Sequence, residues 1–241
     1  MRRALLVLAA AGALLAANRL AAPLRPVPEA SLKPPAWIPL LGPLRPVLAD
    51  LFRLRFEATR SQEAIHGQLQ EAWTVLMLAP ERADAFVAFS NWFLFDAPRL
   101  AATPAEREAC LRAGFQILRT GRSLHPRSAR LLFGEAVALD HFARHAPERI
   151  VSADLPPGET PRGRALDLFE QAFARTPPDD PDRLFLRFSF AFCVQSLLAD
   201  GTTPPDVRAR ARAAAERLLR EPDLDAESRD ALASALAEPS R

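Results

Sequence analysis

Two stretches of the chain nearly copy one another. Phe86-Val-Ala-Phe89-Ser90-Asn-Trp-Phe93 and Phe185-Leu-Arg-Phe188-Ser189-Phe-Ala-Phe192 both read F-x-x-F-S-x-x-F. Between them, Leu132, Glu135, Ala136 and Leu139 repeat the spacing in a looser form. Offsets of 0, 3, 4 and 7 fall on one face of an α-helix. A small residue inside such a stripe lets a second helix come close while the large ones fill the space around it. The copies begin at 86, 132 and 185, steps of 46 and 53 residues. A helical unit recurring at that period predicts stacked helix pairs, each burying its apolar face on the next.

Composition agrees with helix. Ala, Leu and Arg dominate the 241 residues, glycine is limited to 9, and β-branched residues are sparse. No alternating apolar–polar run is long enough for a sheet. The chain is expected to be all-α, with helices near 46–59, 62–79, 82–96, 104–122, 128–145, 162–175, 182–199, 205–220 and 225–237. Thr103-Pro104, Thr160-Pro161 and Thr203-Pro204 read as helix starts, threonine as N-cap and proline in the first turn. Thr103 with Glu106 spells a capping box, and Thr203 with Asp206 approximates one. His125-Pro126, Thr176-Pro177 and Glu221-Pro222 read as stops. Val47, Leu51, Leu54 and Ala58 form the apolar stripe of the first helix, and residues 146–161 are the longest internal loop.

The N-terminus reads as a membrane address. Met1-Arg2-Arg3 precedes fourteen residues without a polar side chain, Ala4 to Ala17, and the apolar character resumes to Ala22. A retained single-pass anchor and a cleaved signal peptide both fit this run; the basic start keeps the N-terminus inside and the body outside. Residues 23–43 are a proline-rich collar, and residues 44–241 the helical body. The expected location is therefore the inner membrane with an extracytoplasmic body, or the periplasm after cleavage.

Charge narrows the partners. Removing Arg2, Arg3 and Arg19 takes the formal net charge from +2 to −1, too little positive charge for nucleic acid. Arg208, Arg210, Arg212, Arg217 and Arg220 crowd one helix and read as a solvated face, with Arg208 and Arg212 as candidate contacts to an acidic partner. Trp73 and Trp92 are read as core or as lining of a peptide groove. Cys110 and Cys193 lie in apolar stripes and read as buried free thiols, a single disulfide being the alternative. His141 and His145 share one helix face at i, i+4, a spacing that suits a metal, yet no glutamate follows His141 to make a metalloprotease motif. No nucleophile elbow, glycine-rich phosphate loop or C-x-x-C pair is present. The expectation is a non-catalytic chain with no cofactor.

These stripes and proline stops resemble the tetratricopeptide-repeat family. Phe86, Ser90 and Phe93 follow Pro80, Leu132, Ala136 and Leu139 follow Pro126, and Phe185, Ser189 and Phe192 follow Pro177-Pro178 in that family's large–small–large pattern. The chain departs from it in a period longer than 34 residues and in lacking tyrosine. It is also similar to N-terminally anchored bacterial envelope proteins with a short helical body. The resemblance implies a tetratricopeptide-like α-solenoid of about four hairpins, with Phe86, Phe89, Ser90, Phe93, Leu132, Ala136, Leu139, Phe185, Phe188, Ser189 and Phe192 packing the repeats. It also implies a scaffold that binds a protein or peptide partner at the membrane. The alternatives are a self-associating envelope component and, further off, a metal-binding helical enzyme around His141 and His145.

Overall fold

Threonine caps and proline stops divide the chain into helices where the sequence places them. The computed structural model describes residues 38, 41–59, 65–147, 155 and 158–237, and among these there is helix and no strand. The helices are α1 (Leu44–Thr59), α2 (Ile65–Leu78), α3 (Ala83–Asn91), α4 (Pro104–Leu124), α5 (Ala129–His145), α6 (Pro161–Arg175), α7 (Arg183–Ala199), α8 (Pro205–Leu218) and α9 (Ala226–Ala237). The expected membrane segment, residues 1–22, and the collar, apart from Ile38 and residues 41–43, lie outside the described residues. No helix among the described residues is long and apolar enough to cross a membrane.

Thr103 forms the complete capping box: its hydroxyl accepts from the Glu106 N–H, and the Glu106 carboxylate accepts from the Thr103 N–H at 3.0 Å. Thr160 caps α6 by accepting from the Gly163 N–H at 3.1 Å. Thr203 does not cap α8. The helix begins at Pro205 as the sequence predicts, but Pro204 stands between it and Thr203, and a residue before proline is pushed out of the helical region. Pro204 accordingly has ψ 144° and is itself the N-cap.

The chain divides into two compact units, one ending at Ala79 and one beginning at Pro80. In the first, α1 and α2 form an antiparallel hairpin: Arg45 Nε donates to the Leu78 carbonyl at one end, and Arg55 Nε meets Glu71 at 2.6 Å toward the other. Helix α1 buries Ala49, Phe52 and Phe56. The stripe Val47, Leu51, Leu54 and Ala58, expected to face inward, is exposed instead. Two phenyl rings carry more area to bury than the aliphatic side chains opposite them, which decides the rotation of the helix.

In the second unit α4 packs on α3, α5 on α4 and on α3, and α6 on α5. Helix α7 touches α5, α6, α8 and α9. Helix α3 runs directly into a π-helical turn, Trp92–Asp96, and one last α-turn, Ala97–Leu100. The Ala97 N–H bonds back five residues to the Trp92 carbonyl. Pro98, which has no N–H, sits where an α-ladder would need a donor to Leu94, and the widened turn accommodates that gap.

Glycine allows α3 and α4 to approach. A Cβ added at Gly121 would lie 2.8 Å from Phe86 Cβ, and one at Gly114 would lie 2.5 Å from Leu94 Cγ. These two glycines, seven residues apart on α4, form a seam into which Phe86 and Leu94 fit.

Candidate functional site

The two phenylalanine copies meet different fates. In α3 and its π-turn, Phe86, Phe89, Ser90 and Phe93 are all buried, and the Ser90 hydroxyl donates to the Val87 carbonyl at 2.8 Å. Leu132, Ala136 and Leu139 of α5 are buried too, while Glu135 of the same copy is held by Arg122 at 2.5 Å. In α7 the copy turns outward. Phe185 is 62% exposed, Phe188 54% and Phe192 46%, with Ser189 half-buried. The core-packing role expected of these residues is therefore corrected.

A competing stripe explains the rotation. Leu186, Phe190, Cys193, Val194 and Leu197 form the buried face of α7, which extends to the last turns of the helix. The phenyl stripe ends at Phe192, because the next positions on that face are Gln195, Ser196 and Ala199. Burying the longer stripe removes more apolar area from water. Phe190 stacks on Phe169 of α6, with ring centroids 5.8 Å apart.

What remains outside is a row of four large apolar side chains: Phe185, Phe188, Phe192 and Leu184, the last 65% exposed. Helix α5 lies beside the row and runs parallel to it. Asp182, next to the start of α7, pairs with Arg130 at 2.7 Å. Phe133 meets Phe185 edge-on at 5.5 Å. The Arg144 guanidinium lies over the Phe192 ring, 4.7 Å from its centroid. Sequence reasoning missed Leu184, Phe133 and Arg144 as members of this surface. Their only signal is that α7 is apolar on two faces at once, so one face must stay open.

The arginines of α8 are largely engaged within the fold. Arg210 reaches Asp167 at 2.5 Å and Arg217 pairs with Glu170, fastening α8 to α6. Arg208 donates to the Asp200 carbonyl at 2.7 Å, and Arg212 is half-buried. The solvated face expected of this helix keeps Arg210, Arg217 and Arg220 exposed, and the first two also tie α8 to α6. Trp73 lies in the first unit and Trp92 in the second, each half-buried. A hollow of about 270 Å³ beside α8 is walled by Phe173, Phe190 and the Arg217–Glu170 pair. It is smaller than the usual ligand cleft.

His141 and His145 are neighbours, ring centroids 5.0 Å apart, and Phe95 packs edge-on against His141 at 5.3 Å. Burial, then the charges of His145 and Arg144, lower the His141 pKa, with Asp140 acting the other way. No group of three His, Cys, Asp or Glu side chains suited to a metal occurs among the described residues. Both cysteines are free and buried. Burial and the nearby Glu106 push Cys110 up to about 11; burial and the Asp140 carboxylate push Cys193 well above its ordinary value. Neither thiol is a thiolate at neutral pH, so neither is a poised nucleophile.

The chain matches no protein-family model, no curated protein and no solved structure.

Proposed function

We propose that the chain is a non-catalytic protein-binding scaffold, built of tetratricopeptide-like helical hairpins and held at a bacterial membrane by its N-terminal segment. The observation that carries this reading is the open phenyl row on α7. A phenylalanine side chain has roughly 200 Å² to bury. With about half of each ring open, the three rings leave some 300 Å² of apolar surface in water. At about 25 cal/mol per Å², that forgoes roughly 7 kcal/mol of burial. Contiguous apolar patches of this size on a folded surface commonly mark a contact with another macromolecule.

Other observations support the same reading. The ionisable groups with raised or lowered pKa are buried thiols, a half-buried histidine or carboxylates bonded within turns, none of them gathered in a cleft. The successive contacts of α3, α5 and α7 fit hairpins that add one on the next. The N-terminal apolar run supports the tether.

The test is site-specific photocrosslinking in intact cells. A photoreactive residue at 188 is expected to give a protein adduct, while one at Arg112, exposed on α4, gives none. Equal labelling at both positions, or none at either, overturns the reading.

A further inference from the structure

We propose that the hollow beside α8 binds a small carboxylate with an aromatic or branched apolar tail, the tail lying among Phe173, Phe190 and Leu218 and the carboxylate on Arg220. Phe190 reaches the hollow from the buried face of α7, so this site is separate from the phenyl row and independent of any partner there.

The apolar lining consists of Phe173 and Ala174 of α6, Phe190 of α7 and Leu218 of α8. Its two rings are held in place. Phe190 stacks on Phe169 from behind and meets Phe173 at 5.9 Å between centroids. Arg183 lies 4.1 Å from the Phe173 ring centroid while donating to the Phe173 carbonyl at 3.3 Å. The space they leave is about 270 Å³. An apolar cavity of about 150 Å³ already holds benzene. A phenyl ring with a short tether therefore fits here, whereas the base and sugar of a nucleotide do not.

The charges around the hollow do not cancel. Glu170 is paired with Arg217, and Glu221 stands 3.6 Å from Arg183. Arg220, at the rim and exposed, has no partner for its guanidinium among the described residues. Three arginines thus face two glutamates, leaving one positive charge over an apolar hollow. A single guanidinium matches a carboxylate through two parallel hydrogen bonds. A phosphate dianion would need a second free cation, and the two glutamates disfavour any further negative charge. A cationic ligand finds both carboxylates already engaged. The matching ligand therefore carries one negative charge close to an apolar group.

The probe is radiolabelled 3-phenylpropanoate, dialysed to equilibrium at pH 7 against the full chain in a nonionic detergent, with micelles alone as the blank. Saturable binding is expected. The neutral analogue 3-phenylpropanol should bind about tenfold more weakly, since it lacks the charged pair. Arg220→Gln should lose a similar factor for the carboxylate, leave the alcohol unchanged and melt like wild type, because the residue is exposed and unpaired. Ala174→Phe, which fills the hollow from an exposed position, should abolish binding of both compounds. No saturable binding by wild type overturns the proposal. So does equal affinity for the alcohol, or an Arg220→Gln protein that binds the carboxylate as wild type does. Binding that survives Ala174→Phe places the ligand elsewhere and overturns it as well. A blocked peptide carrying Phe-Asp that binds more tightly than the free acid overturns the small-molecule assignment and makes the hollow part of a peptide site.

Discussion

Replacing Gly121 by alanine should destabilise the protein, although alanine is the better helix former. On propensity alone the change within α4 is worth about 1 kcal/mol of gain. The new methyl carbon would stand 2.8 Å from Phe86 Cβ and 2.9 Å from both Phe86 Cγ and Leu131 Cδ2, against a carbon–carbon optimum of about 3.5–4.0 Å. Phe86 and Leu131 are fully buried, and Phe86 Cβ is attached to the α3 backbone, so relief requires the helices to part. Overpacking of that kind costs roughly 1–3 kcal/mol, and three simultaneous short contacts favour the upper half of that range. The net loss is about 1–2 kcal/mol, equivalent to a melting temperature lower by roughly 2–8 °C in a unit of this size. Gly134→Ala is the control, because its Cβ meets nothing nearer than Leu118 Cδ2 at 3.5 Å; here propensity prevails and the melting temperature rises by a few degrees. Circular dichroism melting of the three proteins decides the matter. A Gly121→Ala protein as stable as Gly134→Ala would refute the close approach of α3 and α4.

Capping gives a second contrast: Thr103→Ala should cost about 1 kcal/mol by removing a complete capping box, while Thr203→Val should be neutral or stabilising. The Thr203 hydroxyl is buried without a partner, and chemical denaturation measures both changes. His141 predicts a pH dependence. Its folded pKa lies below its unfolded one, so the unfolded chain binds the proton more readily, and stability present above about pH 6.5 declines as pH falls through that value. Denaturant midpoints across pH 5–8 should therefore slope less in His141→Gln than in wild type, and an unchanged slope would remove the assignment. Thiol-reactive reagents at neutral pH should leave both cysteines unmodified until the protein unfolds, which mass spectrometry reads directly.

Helix positions were legible because they rest on local chemistry. Thr103, Thr160 and the proline stops act within one turn of the chain, and the helix ends fall within about three residues of their expected positions, except that α3, expected to Asp96, gives way to the π-turn after Asn91. Which face of a helix turns inward was not legible where two apolar faces compete. Helix α7 carries Phe185, Phe188 and Phe192 on one side and Leu186, Phe190, Val194 and Leu197 on the other; α1 sets Val47, Leu51 and Leu54 against Phe52 and Phe56. The outcome depends on total area buried against several neighbours, a quantity that spacing does not contain. The second stripe of α7 is the longer in the residues themselves, reaching Leu197 where the F-x-x-F-S-x-x-F stripe ends at Phe192. The ion pairs of α8 were not legible for a related reason: Arg210 and Arg217 are exposed as the sequence predicts, but their partners Asp167 and Glu170 lie about 40–50 residues away, and only the packing of α6 on α8 brings them together.

The burial of both sulfhydryl groups has a consequence for where the body can live. A chain whose architecture needed a cross-link would fold on one side of the membrane and fail on the other. Cys110 and Cys193 instead act as ordinary space-fillers, protonated and sealed from oxidant. The same helices can therefore form in a reducing or an oxidising milieu.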